Sequence, residues 1–596
     1  MSTVKGFSKQ SSKSEGFSLI DLIISIGIIA LLFGGIFLAY SSIIDSTKNS
    51  STRTAAVSVL EQQAEIIRNL PYDQVGTQGG IPSGVVPQTQ TVLIGDASFM
   101  VATTVRNIDD PFDGTLGGIP NDTAPADYKL IELSAQCIQC YRQVTYAITT
   151  TVAPENLESA STNGSLFINI ADAEGKDVSN VDVHVVNASV TPAIDLTDTT
   201  NASGVLQLVG IPTSTQSYAL TLTKSGYSSE KTYPVGAPAN PNPINSHATV
   251  AAGMVTTATF SIDKTSRLDV TTSNDTCIPA ANKDFSLSGA KLIGLNPNTL
   301  KFGTSSATGA SGVKTLNGIE WDTYTFALED SGLDLFGTIP LNPMTINPSS
   351  TSNFRFVAKP ANPLSLLVIV KDFTTSAGIN TSTVVLSKSG FSETHATGQS
   401  EWIDTDWSAG QYDAQDGGVE TDSPAGLIAM KNVNGLYSTS TVSWLVSKTI
   451  DVGSSTASYY AIEWNPSSQP AQTGSESVQF QIASNNDQAT WNFVGPDGTG
   501  NTYYSASGAA ISGTHSNNRY IRYKVFLKTQ DENYTPSVND VSINFYSACV
   551  PLAQTIFTGL NSGTYTITTS APGYQEATSS VSVTANWQQT QILLSQ

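Results

Sequence analysis

From residue 17 the chain runs apolar to Tyr40, and Asp21 is the single charge in that stretch of 24 residues, 17–40. At about 1.5 Å of rise per residue, such a helix is long enough for the roughly 30 Å of a bilayer's hydrocarbon. The pattern then becomes one-sided. Val57, Leu60, Ala64, Ile67 and Leu70 recur at threes and fours, which marks one face of a helix, and Pro71 is a natural stop. A single helix over 17–70, roughly 80 Å long, is therefore expected. Beyond it the period drops to two. Segments 91–94, 99–105, 128–133 and 144–152 are rich in β-branched residues and separated by Gly, Pro, Asn and Asp, which predicts four strands.

After a polar linker at 153–164 the chain repeats itself. Gly210-Ile211-Pro212 leads to Tyr218 and Leu220, Gly318-Ile319-Glu320 leads to Tyr324 and Phe326, and Gly559-Leu560-Asn561 leads to Tyr565 and Ile567. Each is a turn into an alternating strand. The openings of the first and third copies agree as well, at Leu166–Ile170 before Val181–Val185 and Leu366–Val370 before Thr383–Leu386. These pieces resemble carboxypeptidase-regulatory-like or collagen-adhesin B-type modules, which implies small Ig-like β-sandwiches without peptidase activity. They are expected at 164–262, 266–358 and, split in two, 364–397 plus 548–596. The intervening 398–547 holds five of the seven Trp and strands at 459–464, 478–483, 520–527 and 541–545. It resembles a discoidin- or concanavalin-like jelly roll, inserted in a loop of the third repeat and projecting sideways from the stalk.

The N-terminal segment resembles that of a type IV pilin or type II secretion pseudopilin, on Gly16-Phe17-Ser18-Leu19-Ile20-Asp21 followed by the unbroken apolar run. That resemblance implies a leader at 1–16, cleavage after Gly16 by a prepilin peptidase, and N-methylation of Phe17. It also implies that Asp21 is the acid that pairs with a neighbouring subunit's terminal amine. The usual residue is Glu, so Asp21 keeps the charge on a shorter arm. The module 17–152 then has the outline of a minor pilin, a long helix laid on a small sheet. The expected fold class is an α+β pilin-like module followed by all-β sandwiches.

Charge and chemistry narrow the function. The chain carries −21, with only 13% charged residues, which suits exposed β-domains and argues against nucleic-acid binding. Lys5, Lys9 and Lys13 precede the apolar run, so the N-terminus is expected in the cytoplasm and the bulk outside. Cys137 and Cys140 lack a second ligand pair for zinc, and the reading is a local disulfide on an exported domain. Cys277-Ile278-Pro279 and Cys549-Val550-Pro551 are alike in setting, and their pairing stays open because it requires two repeats to touch. Asp109, Asp110 and Asp113 supply too few oxygens for calcium and read as a solvated turn.

No nucleophile elbow, phosphate loop or spaced histidine set occurs, so no catalytic residue and no cofactor is assigned. Glu401, Asp404 and Asp406 lie beside Trp402 and Trp407, an arrangement that suits sugar contact or hydrolysis; a solvated turn flanked by core tryptophans is the favoured alternative. Three functions stay open: a pilin-like surface protein displaying a β-stalk for adhesion, pilus-tip or secretion-system work, an exported carbohydrate-binding or carbohydrate-active protein, and a plain anchored protein. The partners expected are the peptidase, other pilin subunits, the membrane through 17–40, and a surface glycan or protein.

Overall fold

The computed structural model describes residues 19–95, 97–140, 143–154 and 162–596. One long N-terminal helix is followed by β-sheets throughout. Helix α1 runs unbroken over Leu19–Arg68, ends two residues before the expected stop, and is long and apolar enough to cross a membrane. Its first half exposes every large side chain described, including Leu31, Phe33 and Leu38. Its second half buries Ala56, Val59, Leu60, Ala64 and Ile67, spacings of three and four that form a single stripe. Val57, expected within that stripe, lies on its flank because the buried line passes through Ala56 and Val59.

The stripe packs on a four-stranded antiparallel meander of β1 (Thr89–Ile94), β2 (Ala97–Ile108), β3 (Tyr128–Cys137) and β4 (Thr145–Val152). Alternation puts Phe99, Val101 and Val105 of β2 and Ile131, Leu133 and Ala135 of β3 against the helix.

Three sandwiches follow, built alike. In each, the last strand lies parallel to the first: Val255–Ser261 beside Gly164–Ala171, Thr351–Pro360 beside Ser266–Ser273, and Trp587–Leu594 beside Ser365–Asp372. After each opening strand a side-chain oxygen caps a turn, from Asp172, Asn274 and Asp372. The repeated Gly-to-Tyr pieces also have one cause. Gly210, Gly318 and Gly559 adopt φ of +72°, +73° and +65°, which only glycine enters freely. The tyrosine that follows is buried and donates its hydroxyl back to the chain, Tyr218 to Pro212 O at 2.5 Å, Tyr324 to Glu320 O at 2.8 Å and Tyr565 to Asn561 O at 2.7 Å. This tyrosine corner locks the turn to the sheet. Burial pushes the Tyr218 phenol up to about 12 and raises that of Tyr324 as well.

The third sandwich is assembled from two chain segments, with Ser365–Asp372 pairing Gln554–Phe557 and Thr383–Lys388 pairing Gly563–Ser570. Between those segments lies a further domain of three sheets, two larger ones and a small one of Val419–Asp422, Ala425–Met430 and Ser537–Val538. Its first strand, Ser400–Asp404, pairs with its last, Asp540–Tyr546, so entry and exit sit side by side. It does not hang free of the repeats. Its buried core runs on through Phe336 and Val357 of the second sandwich and Val550 and Ile556 beside the third.

The described chain divides into two compact units. One holds the helix, the meander and most of the first sandwich, through Ile262. The other holds residues 225–228 and 263–596.

Candidate functional site

Gly16 and Phe17 lie outside the described residues. Asp21 falls in the first turn of α1, at the start of its exposed apolar half. Cys137 and Cys140 are joined at the end of β3, with Cα atoms 5.6 Å apart. The Thr52 hydroxyl of α1 lies 3.8 Å from the Cys140 sulfur, so this small loop touches the helix where its buried half begins.

The acidic loop is held by its own backbone. Asp109 accepts from the Leu116 amide at 2.9 Å, and the Asp127 carboxylate accepts from the Asp110 amide. Burial, then the charges of Asp122, Asp127 and Asp113, raises the Asp109 carboxyl above its usual range. Among the described residues no group of three or more His, Cys, Asp or Glu is placed to hold a metal ion.

Sugar contact at Trp407 is excluded by its place in the core, the reading favoured over it from the sequence. Trp407 is fully buried, and its indole N–H donates to the Tyr523 hydroxyl at 2.6 Å. Tyr523 in turn donates to Asp404 at 2.8 Å, a chain that fastens the sheet of Ser400–Asp404 to the sheet of Tyr520–Leu527. Burial raises the Asp404 carboxyl, and burial with the Asp404 charge raises the Tyr523 phenol. Trp402 packs against the same core. The physical reason is strand alternation: Trp402 and Asp404 face inward, while Glu401 and Ile403 face solvent. Asp406 spends its carboxylate on the Ser408 amide and hydroxyl. The three acids are thus divided among a core contact, a turn cap and an open face, and they do not converge on one substrate.

Specific polar contacts between domains gather at two joints, one in each unit. In the first unit the meander meets the first sandwich. Arg106 of β2 places its guanidinium fork on Asp198, with Nε donating at 2.6 Å and Nη2 donating to the other oxygen. Asp198's side chain is 5% exposed, and the Asp198 hydrogen bond followed by its charge holds the Arg106 guanidinium more firmly protonated. Beside it Asn107 donates to Val209 O at 2.9 Å, and Gln88 donates to Asp195 O at 2.6 Å. Gly210 sits so close to Asn107 that a Cβ there would lie 2.9 Å from its amide nitrogen.

In the second unit, Cys277 and Cys549 are bonded, Cα to Cα 5.3 Å, across 272 residues of sequence. The second sandwich and the return from the inserted domain therefore touch, which the sequence leaves open. Around the bond, Asp275 accepts from Lys359 at 2.9 Å and from Ser400, and its carbonyl accepts from Ser547 at 3.0 Å. Gln554 pairs both ways with the Thr338 backbone, at 3.0 and 2.9 Å, and the Trp587 indole donates to Leu335 O at 3.0 Å. Sequence reasoning missed both joints as sites, although the matching Cys-x-Pro settings pointed at the second.

No family model matches the chain, and no curated protein does. Among solved structures, the Bacillus anthracis TIE protein aligns over 86% of this chain and 74% of its own, at 10% identity and a TM-score of 0.15. A streptococcal ancillary pilin aligns over 38% of this chain and 75% of its own, at 11% identity and a TM-score of 0.17. The minor pilin GBS52 of Streptococcus agalactiae aligns over 34% and 99%, at 15% identity and a TM-score of 0.16. Scores of this size leave the functional argument to the residues themselves.

Proposed function

We propose that this chain is a membrane-inserted, pilin-like surface protein in which α1 is both anchor and assembly element and the β-domains form a display stalk. The observation that carries this reading is the change of character along α1. Residues from Ile20 to Ile43 expose apolar side chains all round, while the half from Ala56 to Ile67 is seated on the meander. A helix of one continuous fold with an unsheathed apolar half needs a second environment, either lipid or the same half of neighbouring subunits. In this reading Gly16–Phe17 is the processing point, Asp21 the pairing acid in the first turn, and the partners are the peptidase and other pilin subunits. The N-terminus starts in the cytoplasm and the sandwiches stand outside.

Mass spectrometry of the native protein tests it. A mature chain starting at methylated Phe17 is the expected result, and an intact Met1 would overturn the assembly reading in favour of a plain anchor. Asp21→Ala should abolish co-purification with filament subunits while leaving membrane insertion intact.

A further inference from the structure

The second joint connects strands that are each held on both sides. Ser266–Ser273 lies between Val313–Ile319 and Thr351–Pro360 in the second sandwich. Asp540–Tyr546 lies between Ser400–Asp404 and Ser458–Asn465 in the inserted domain. Cys277 is four residues past the end of the first of these, and Cys549 three residues past the end of the second. The disulfide therefore joins the central strand of one domain to the central strand of another by the shortest covalent route. By peptide bonds alone the same journey passes through the rest of the second sandwich, the opening strands of the third and the whole inserted domain.

The surroundings position the bond for this. Cys277 sits in the turn that each repeat places after its opening strand, with Asn274 accepting from the Thr276 and Ile278 amides at 3.1 and 2.8 Å. Cys277 itself has φ +64°, a left-handed conformation that a side chain adopts at a cost. The loop of the inserted domain at Gly453 presses on that turn so closely that a Cβ would lie 1.9 Å from the Thr276 carbonyl oxygen. Asp451 beside it is braced by Arg519 at 2.8 and 2.9 Å. On the other side Cys549 is buried, and Arg355 lies 2.7 Å from its sulfur. The first and third repeats carry no cysteine at the equivalent turns, Asp172–Lys176 and Asp372–Ser376.

We infer that the Cys277–Cys549 bond carries the tension between the stalk and the inserted domain, so that a pull on the inserted domain bypasses the rest of the second sandwich and the opening strands of the third. The inference rests on the anchored-stalk reading only for the direction from which load arrives. A pull at the inserted domain then enters Asp540–Tyr546, crosses to Cys277 and leaves along Ser266–Ser273. The polar cluster at Asp275 keeps the two ends in register, and the covalent bond carries the force.

Single-molecule stretching of the full chain tests this, with one handle at the N-terminus and a second inserted at the exposed turn Asn434-Gly435. In the oxidised protein the shorter covalent route from Cys277 to that handle runs back through Cys549 and spans 114 residues (435 to 549), against 158 (277 to 435) by the forward route. Release of the second sandwich, about 80 residues at roughly 3.5 Å each, would add on the order of 28 nm. That step is expected to be absent in the oxidised protein. It should appear in the Cys277→Ser/Cys549→Ser variant and in wild-type protein treated with dithiothreitol, which serves if the variant does not fold. Asp275→Ala with the bond intact should still lack it. The step in oxidised protein, its absence in all samples, or its appearance in Asp275→Ala would each overturn the inference. An intact Met1 would overturn the assembly reading and leave these traces unchanged.

Discussion

The two joints solve one problem with different chemistry. In the first unit the meander and the first sandwich meet through a guanidinium–carboxylate fork and amide bonds to backbone oxygens. In the second unit a disulfide, a two-way Gln554 bond and a core shared across domain boundaries do the work. The ionic joint lies close along the chain to the helix, and its strength depends on keeping both partners present. The covalent joint lies where one domain interrupts another and the chain must leave and return. A loop that encloses 272 residues gains most from cross-linking, since closing it removes the most freedom from the unfolded chain.

The largest expected effect follows from that loop. Replacing Cys277 and Cys549 by Ser should lower the stability of the second unit by about 4 kcal/mol, read from the denaturant midpoint by intrinsic tryptophan fluorescence. An unchanged midpoint would show that the shared core alone makes the joint. The ionic joint should respond next. Arg106→Ala leaves Asp198 with 5% side-chain exposure and no cation, a loss of about 3 kcal/mol in the first unit, while the second unit's transition stays put. Equal shifts in both transitions would break the distinction between the joints.

Acid separates the units in a different way. His515, in the inserted domain, is 3% exposed, and burial pushes its imidazole down to about 4. Its Nδ1 is bonded to Ser484 at 2.9 Å and its Nε2 has no partner, which suits a neutral ring. In the unfolded chain the ring takes up a proton near pH 6.5, while the folded chain refuses it until about pH 4. The unfolded state therefore binds more protons within that window, and stability falls as pH drops through it, by about 2–3 kcal/mol in total. His515→Gln should flatten the second unit's acid response, as followed by thermal melts between pH 7 and 4.

Much of this architecture is legible in the chain because it is periodic. The switch from an all-round apolar run to a stripe at threes and fours gives α1, and period two gives the meander. The Gly-to-Tyr pieces at 210–218, 318–324 and 559–565 reveal the repeats because each corner needs a left-handed glycine and, six or eight residues on, a tyrosine that reaches back to the turn. The joints are not periodic. Arg106 and Asp198 sit on strands of different domains, and nothing local in either strand specifies the other. Trp407 is ambiguous in sequence for the opposite reason. Tryptophan beside carboxylates has the same local signature in a binding face and in a core, and only the Tyr523 hydroxyl it meets from 116 residues away tells them apart.

The smallest effect probes whether the repeats are coupled differently in the two units. Removing the hydroxyl at a tyrosine corner leaves its backbone acceptor bare, a cost of about 1 kcal/mol at each site. Tyr218→Phe falls in the first unit, where a set of polar bonds joins the first sandwich to the meander, so hydrogen exchange should rise in that sandwich and little elsewhere. Tyr324→Phe falls in the second sandwich, which shares a core and a disulfide with the inserted domain. Domains joined so tightly open together, so the same small loss should raise exchange across the inserted domain as well. If protection near Trp464 and Phe480 is unchanged in Tyr324→Phe, the shared core transmits no cooperativity, and the second joint is a tether between independent domains.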